Sequence, residues 1–149
     1  MSLYQFEDMK KSNRGILGDS VPLELFRSVR LIGMYQGLPL HGKNTTLTVG
    51  REIGVNLPVE TIDDVFRIFE ELRIGIPEIV KQNDKEMHIA VKDCFCLGLP
   101  VNEGHMVCDL EGAILGGAIS KIFNKRVSIR EVKCNINGDE HCEYIIRFT

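Results

Sequence analysis

The chain has 149 residues, 44% of them hydrophobic, with 18 basic and 21 acidic side chains and a formal net charge of −3. This length fits one globular domain able to bury its own core, so no disulfide framework is needed for size. The balance excludes a disordered chain and argues against a nucleic-acid binder, and no apolar run approaches the length of a membrane span.

The N-terminal residues 1–11 are polar and mixed in charge, without the apolar stretch of a signal peptide, so the expected location is cytoplasmic. Residues 23–35 carry the apolar spacing of a core-facing helix, with Pro22 in its first turn and Ser20 as a cap. A second helix is capped by Asn44 or Thr45. A third follows Thr61, where Asp64 completes a capping box and Ile62, Val65, Phe66, Phe69 and Leu72 recur at helical spacing before Gly75. Residues 76–81 and 85–91 read as a strand pair across Asn83-Asp84. A loop through Pro100 and Gly104 then leads to a helix over about 107–124. Residues 126–136 and 141–149 are rich in Val, Ile and Tyr and form a second hairpin, with Asn137-Gly138-Asp139 as its turn. The order of helices, hairpin, helix, hairpin predicts an α+β domain, an antiparallel sheet packed with helices, filling residues 1–149.

Five cysteines in a chain read as cytoplasmic are reduced thiols or metal ligands more readily than a disulfide set, and the odd count points the same way. A turn centred on Gly138 sets Cys134 across from Cys142, close enough for a shared metal or a disulfide; geometry alone leaves both open. Strand alternation puts Cys142 on the face of Tyr144, Ile146 and Phe148, toward the core. Glu131 and Cys134 differ in parity, so co-ligation demands a bulge between them. Cys108 opens the fourth helix, where the positive end of the macrodipole favours a thiolate. Together Cys108, Glu131, Cys134 and Cys142 have the chemistry of one tetrahedral zinc site with no open position, a structural site. The C-x-C pair Cys94 and Cys96 competes for the metal; its plainer reading is two loop thiols.

The stretch Cys108-Asp109-Leu110-Glu111-Gly112, Gly116-Gly117, Val127, Glu131-Val132-Lys133-Cys134, Gly138-Asp139 and Cys142 resembles the 4-vinyl reductase domain family, most closely over residues 85–149. Thr48-Val49-Gly50-Arg51-Glu52-Ile53-Gly54 resembles the family's glycine-bearing helix more loosely. The resemblance implies a fold shared with heme nitric-oxide sensors and vesicle-tethering transport subunits, a tendency to form homodimers, and a small molecule held between helices and sheet. In relatives that serve as phenol sensors of transcription activators, three cysteines and one glutamate hold zinc; the matching positions here are Cys108, Glu131, Cys134 and Cys142.

Gly112, Gly116 and Gly117 lie inside a helix at a cost of roughly 1 kcal/mol each relative to Ala, so the helix must approach something closely: a packed neighbour first, a ligand second. Lys121, Lys125, Arg126, Arg130 and Lys133 read as a solvated helix end and strand edge rather than a nucleic-acid patch. No phosphate-binding loop or dinucleotide fingerprint is present, and His41, His88, His105 and His141 show no catalytic spacing. Three readings follow. The first is a zinc-stabilised binding or sensor domain for an aromatic or hydrocarbon ligand, signalling through a protein partner; the others are a vinyl-tetrapyrrole reductase and a non-catalytic dimeric scaffold.

Overall fold

The computed structural model describes residues 3–149. Helix α1 (Leu23–Arg27) runs without a break into a π-helical segment (Ser28–Gln36). A short 3₁₀ turn (Pro39–Gly42) leads to α2 (Lys43–Val55), then α3 (Ile62–Glu71), β1 (Ile76–Gln82), β2 (Glu86–Lys92), α4 (Asp109–Phe123), β3 (Val127–Lys133) and β4 (Cys142–Phe148). The four strands form one sheet in the order β1-β2-β4-β3, every neighbouring pair antiparallel. The expected α+β class is the observed one.

Helix α4 is the centre of the molecule. Every residue from Leu110 to Ile119 is buried, as expected of a helix that is apolar nearly all round. Its glycines let neighbours touch its backbone on two sides. A Cβ at Gly112 would meet the Tyr144 ring on β4 and one at Gly116 would meet Ile129 on β3, while one at Gly117 would lie 2.6 Å from the Arg51 carbonyl oxygen on α2. From α2, Gly50 abuts Leu110 and Ala113, and Gly54 abuts the Ile114 carbonyl. The result is three layers, with α4 between the sheet and α2. Close packing, the first of the two expected reasons for the glycines, is what they serve.

Strand alternation supplies the rest of the core. Met87, Ile89 and Val91 on β2 and Cys142, Tyr144 and Ile146 on β4 are fully buried at alternate positions. Helix α3 has the expected Thr61–Asp64 capping box and buries Val65 and Phe69, whereas Leu72, at its C-terminal end, is exposed. The residue that turns the chain there is Arg73, left-handed at φ 59°, rather than Gly75.

Two caps differ from expectation. Pro22, not Ser20, occupies the N-cap of α1 and makes no side-chain cap bond. Helix α2 begins ahead of Asn44 and Thr45, at Lys43, because Leu40, His41 and Gly42 are successively left-handed and swing the chain directly into it. The second hairpin is shorter than the sequence suggests. Residues 134–141 leave the strands and close through a 3₁₀ turn (Asn135–Asn137), with Gly138 at φ 101°. Among the described residues no helix is long and apolar enough to cross a membrane.

Candidate metal centre

Four separate pieces of chain bring five cysteines and one glutamate together. Cys94 and Cys96 sit on the turn after β2, which left-handed Asp93 (φ 52°) initiates and a Leu97 N–H to Cys94 carbonyl bond of 2.8 Å closes. Arg27 pins this turn from α1, donating from Nε to the Phe95 carbonyl and from Nη2 to the Leu97 carbonyl, both at 2.8 Å. Cys108 is the N-cap of α4, at the positive end of its dipole as expected. Its carbonyl accepts a 2.7 Å bond from the buried Tyr144 hydroxyl, which fixes the helix start against β4.

The bulge that co-ligation by Glu131 and Cys134 demands is present. The β3–β4 register slips between Glu131 and Lys133, so Val132 is extra and the strand bends. Beyond it, Asp139 Oδ2 accepts the Cys134 N–H at 2.9 Å and ties the 3₁₀ turn to the strand end. Cys142 begins β4 opposite Val91 and faces the core as predicted.

All five thiols are free and buried. Cys108 Sγ is the hub, lying 3.7 Å from Cys94, 3.3 Å from Cys96, 3.7 Å from Cys134 and 3.7 Å from Cys142; Cys96 and Cys142 are 3.6 Å apart. The donor atoms form two groups in which all members lie within 4.8 Å of one another: Cys94, Cys96, Cys108 and Cys142, and Cys108, Glu131 and Cys134. Of the sequence quartet, Cys108, Glu131 and Cys134 share one mutual group, while Cys142 lies with Cys108 in the other. Cys94 and Cys96 are members of the cluster rather than loop thiols apart from it. His105 and His141 are turned to other partners, Tyr35 Oη at 2.7 Å and Glu143 at 3.1 Å.

Electrostatics favour a cation. Hydrogen bonding from Cys108 pulls the Cys96 thiol down to about 5 and the Cys134 thiol to about 7, while Cys108, surrounded by these sulfurs, is pushed up. Burial, and then the charge of Cys134, pushes Glu131 up to about 10. One carboxylate oxygen, Oε2, accepts the Cys108 N–H at 3.0 Å; the other, Oε1, is sealed from solvent with no hydrogen-bond partner. Buried polar atoms of this kind are rare without a reason, and a bound cation supplies one. The donor set fits a thiophilic divalent ion, and the cluster could hold one.

Beside the cluster lies an open pocket of about 900 Å³ between the π-helical segment, the left-handed turn and the 99–107 loop, with Leu31, Leu38, Leu99, Val107 and Ile136 among its walls. Its polar side chains are Tyr35, Gln36, His41, Asn102 and His105, with His41 stacked on the Tyr35 ring at 4.3 Å between centroids. The family resemblance implies a small molecule held between helices and sheet but names none of these residues. The signal available was the unusual run Leu38-Pro39-Leu40-His41-Gly42, too short to read as a wall. Pocket and cluster share a support. Buried Arg30 of the π-helical segment donates twice to Glu111 at 2.7 Å and to the Val107 carbonyl at 2.9 Å, next to Cys108. Burial opposes the Arg30 charge, but Glu111 more than offsets it and holds the guanidinium protonated above its ordinary range.

Known proteins share this fold. Residues 87–148 match the family model of the V-4-R domain. Two uncharacterised proteins of Methanocaldococcus jannaschii are 29% and 28% identical, each over 88% of this chain and over 78% and 80% of their own lengths. A third from the same organism is 32% identical over 53% of this chain and 83% of its own length. Among solved structures, a vinyl-4-reductase family protein from Methanocaldococcus jannaschii superposes with a TM-score of 0.69 at 21% identity, covering 96% of this chain and 87% of that one. The phenol-responsive sensory domain of the transcription activator PoxR, solved with phenol, gives 0.62 at 15% identity over 86% and 75% of the two chains. A trafficking protein particle complex subunit 3 from Naegleria fowleri, covalently bound to palmitic acid, gives 0.64 at 14% identity over 85% and 95%. With a family match over residues 87–148 and a relative 32% identical over 83% of its own length, the chain belongs to the V-4-R domain family.

Proposed function

We propose that this chain is a zinc-stabilised binding or sensor domain for a small, mainly apolar ligand. The observation that carries the reading is the pairing of a thiol cluster buried in the fold with an open apolar pocket adjoining it through the 99–107 loop. Zinc is the metal favoured by a donor set of thiolates and one carboxylate, and Cys108, Glu131, Cys134 and Cys142 are the ligands carried over from the sequence. Its role is structural: it fastens the second hairpin to the start of α4.

The pocket's volume falls within the range of small-molecule sites, and its walls are mostly apolar with a few convergent polar groups. His41 Nδ1 lies 3.3 Å from the Tyr35 carbonyl, which only accepts, so Nδ1 is the donor in that contact. Burial keeps the Tyr35 phenol protonated, in its 2.7 Å bond with His105. This pattern suits an aromatic or hydrocarbon body bearing one hydroxyl or carboxyl group. The likeness to a sensory domain solved with phenol supports the same class of ligand.

A homodimer with a protein partner for output completes the reading. Exposed Leu23, Leu25, Val29 and Ile32 along the first helical stretch favour a partnered surface there. The test is a thermal-shift screen with substituted phenols and medium-chain fatty acids, backed by native mass spectrometry. Stabilisation by one class, lost in Leu99→Trp, supports the proposal; no stabilisation and a bare chain mass from fresh cells refute it.

A further inference from the structure

The cluster holds more donors than one tetrahedral ion uses. Five thiols and one carboxylate converge on a single buried volume, and Cys94 and Cys96 are not part of the quartet given to zinc above. Among Cys94, Cys96, Cys108 and Cys142, four sulfur separations run from 3.3 to 3.7 Å. A metal–sulfur bond of about 2.3 Å places tetrahedral sulfurs about 3.8 Å apart, so these four are already spaced close to the edges of one tetrathiolate site.

An ion placed there leaves Cys134 and Glu131 outside it. Glu131 Oε1 remains buried and unpartnered, and Cys134 Sγ remains 3.7 Å from Cys108. Both belong to the second mutual group, and the one atom common to the two groups is Cys108 Sγ. A thiolate within 3.7 Å of all four other sulfurs is placed to bridge two ions. Charge leads to the same conclusion. Fully deprotonated, the cluster carries six negative charges, of which one dication neutralises two; the remainder would sit uncompensated in the interior or stay protonated. Two dications bring the balance to a residual of two.

We propose that the cluster is a two-ion site for thiophilic divalent metals, with Cys108 as the bridging thiolate. One ion takes Cys94, Cys96, Cys142 and Cys108; the other takes Cys108, Cys134 and both oxygens of Glu131. This rests on the metal reading above and extends it by one ion: Cys142 goes to the all-thiolate ion, and Cys94 and Cys96 become ligands. Each ion displaces the protons of the thiols it binds.

The experiment is reconstitution of the reduced chain with Zn(II) or ¹¹³Cd(II), removal of free ion, and measurement of metal per chain by elemental analysis, with ¹¹³Cd NMR of the loaded protein. The expected result is about two ions per chain and two cadmium resonances coupled through the shared sulfur, one in the all-thiolate range and one shifted by oxygen ligation. Cys94→Ser with Cys96→Ser should lower the ratio to about one and remove the all-thiolate resonance, with the helical signal in circular dichroism retained. Should that double variant fail to fold, the wild-type spectrum decides alone. One ion per chain with a single resonance overturns the two-ion site and leaves the zinc reading standing. No bound ion at all overturns both.

Discussion

The half of the molecule around α4 and the half that precedes α2 are built on opposite terms. Around α4, glycines let the helix touch β3, β4 and α2 directly, and five thiols are buried. Between Leu23 and Gly42 the helix widens to a π-helical run, two non-glycine residues are left-handed, and Leu25, Val29, Ile32 and Leu40 face solvent. Left-handed non-glycine residues cost of order 1 to 2 kcal/mol each and persist where the surrounding structure holds them, as they do at ligand-binding sites. The first half is therefore read as the scaffold and the second as the wall that meets the ligand.

The largest break in this contrast is expected from removing the metal proposed above. Cys108→Ser, at the hub of the cluster, should lower stability by several kcal/mol, below the roughly 10 kcal/mol that zinc supplies to modules without a core of their own. Urea titration with and without chelator measures it, and chelation should leave the variant unchanged. Next is the strut between the halves. Glu111→Gln leaves the buried Arg30 guanidinium with only its longer 3.6 Å pairing to Asp109, and should cost about 2 to 4 kcal/mol. Arg30→Met with Glu111→Leu should recover much of that loss, which a double-mutant cycle reads directly.

Smaller effects sharpen the comparison. A Cβ at Gly54 runs into the Ile114 carbonyl and lies 2.8 Å from the Ala118 nitrogen, both backbone, so Gly54→Ala should destabilise by about 1 to 3 kcal/mol. The same change at Gly33 meets nothing nearer than 3.7 Å and should be neutral or slightly stabilising in the same melt. Tyr35→Phe removes one hydrogen bond at the pocket and should leave the melting temperature nearly unchanged while weakening a bound hydroxylated ligand roughly five- to tenfold. Smallest is an acid effect. Backbone N–H bonding from Glu60, then Arg67, holds Asp64 at about 2, and His88 with Arg147 holds Glu86 at about 2, below their ordinary values of 3.8 and 4.5. Depressed carboxylates contribute stability that is present above those ordinary values and lost as the pH falls toward 2. The urea midpoint of Asp64→Asn plus Glu86→Gln should thus fall less steeply over that window than that of the parent chain.

The scaffold half was legible in the sequence because its signals are local. Alternating Val, Ile and Tyr marked the strands, Thr61 and Asp64 marked a helix start, and the glycines of α4 marked close approach. The parity mismatch between Glu131 and Cys134 even required the bulge that the β3–β4 register contains. The other half was legible only in outline: the helical stretch lies where residues 23–35 predict it, but a π-helical run has the same apolar spacing as an α-helix over two turns, and the left-handed Leu40 and His41 are not glycines. For Cys94 and Cys96 the sequence left both a place at the metal and a plain loop position open, for a different reason. Their place depends on Asp93 turning left-handed and on Arg27, far off in sequence, gripping the turn from α1.

Hydrogen–deuterium exchange on the metal-loaded protein, with and without chelator, tests the division between scaffold and ligand wall most directly. The account predicts that chelation accelerates exchange chiefly over residues 93–109 and 131–143, while residues 28–42 respond to ligand and little to metal. Uniform acceleration across the chain, or protection of 131–143 that ignores chelation, would contradict it.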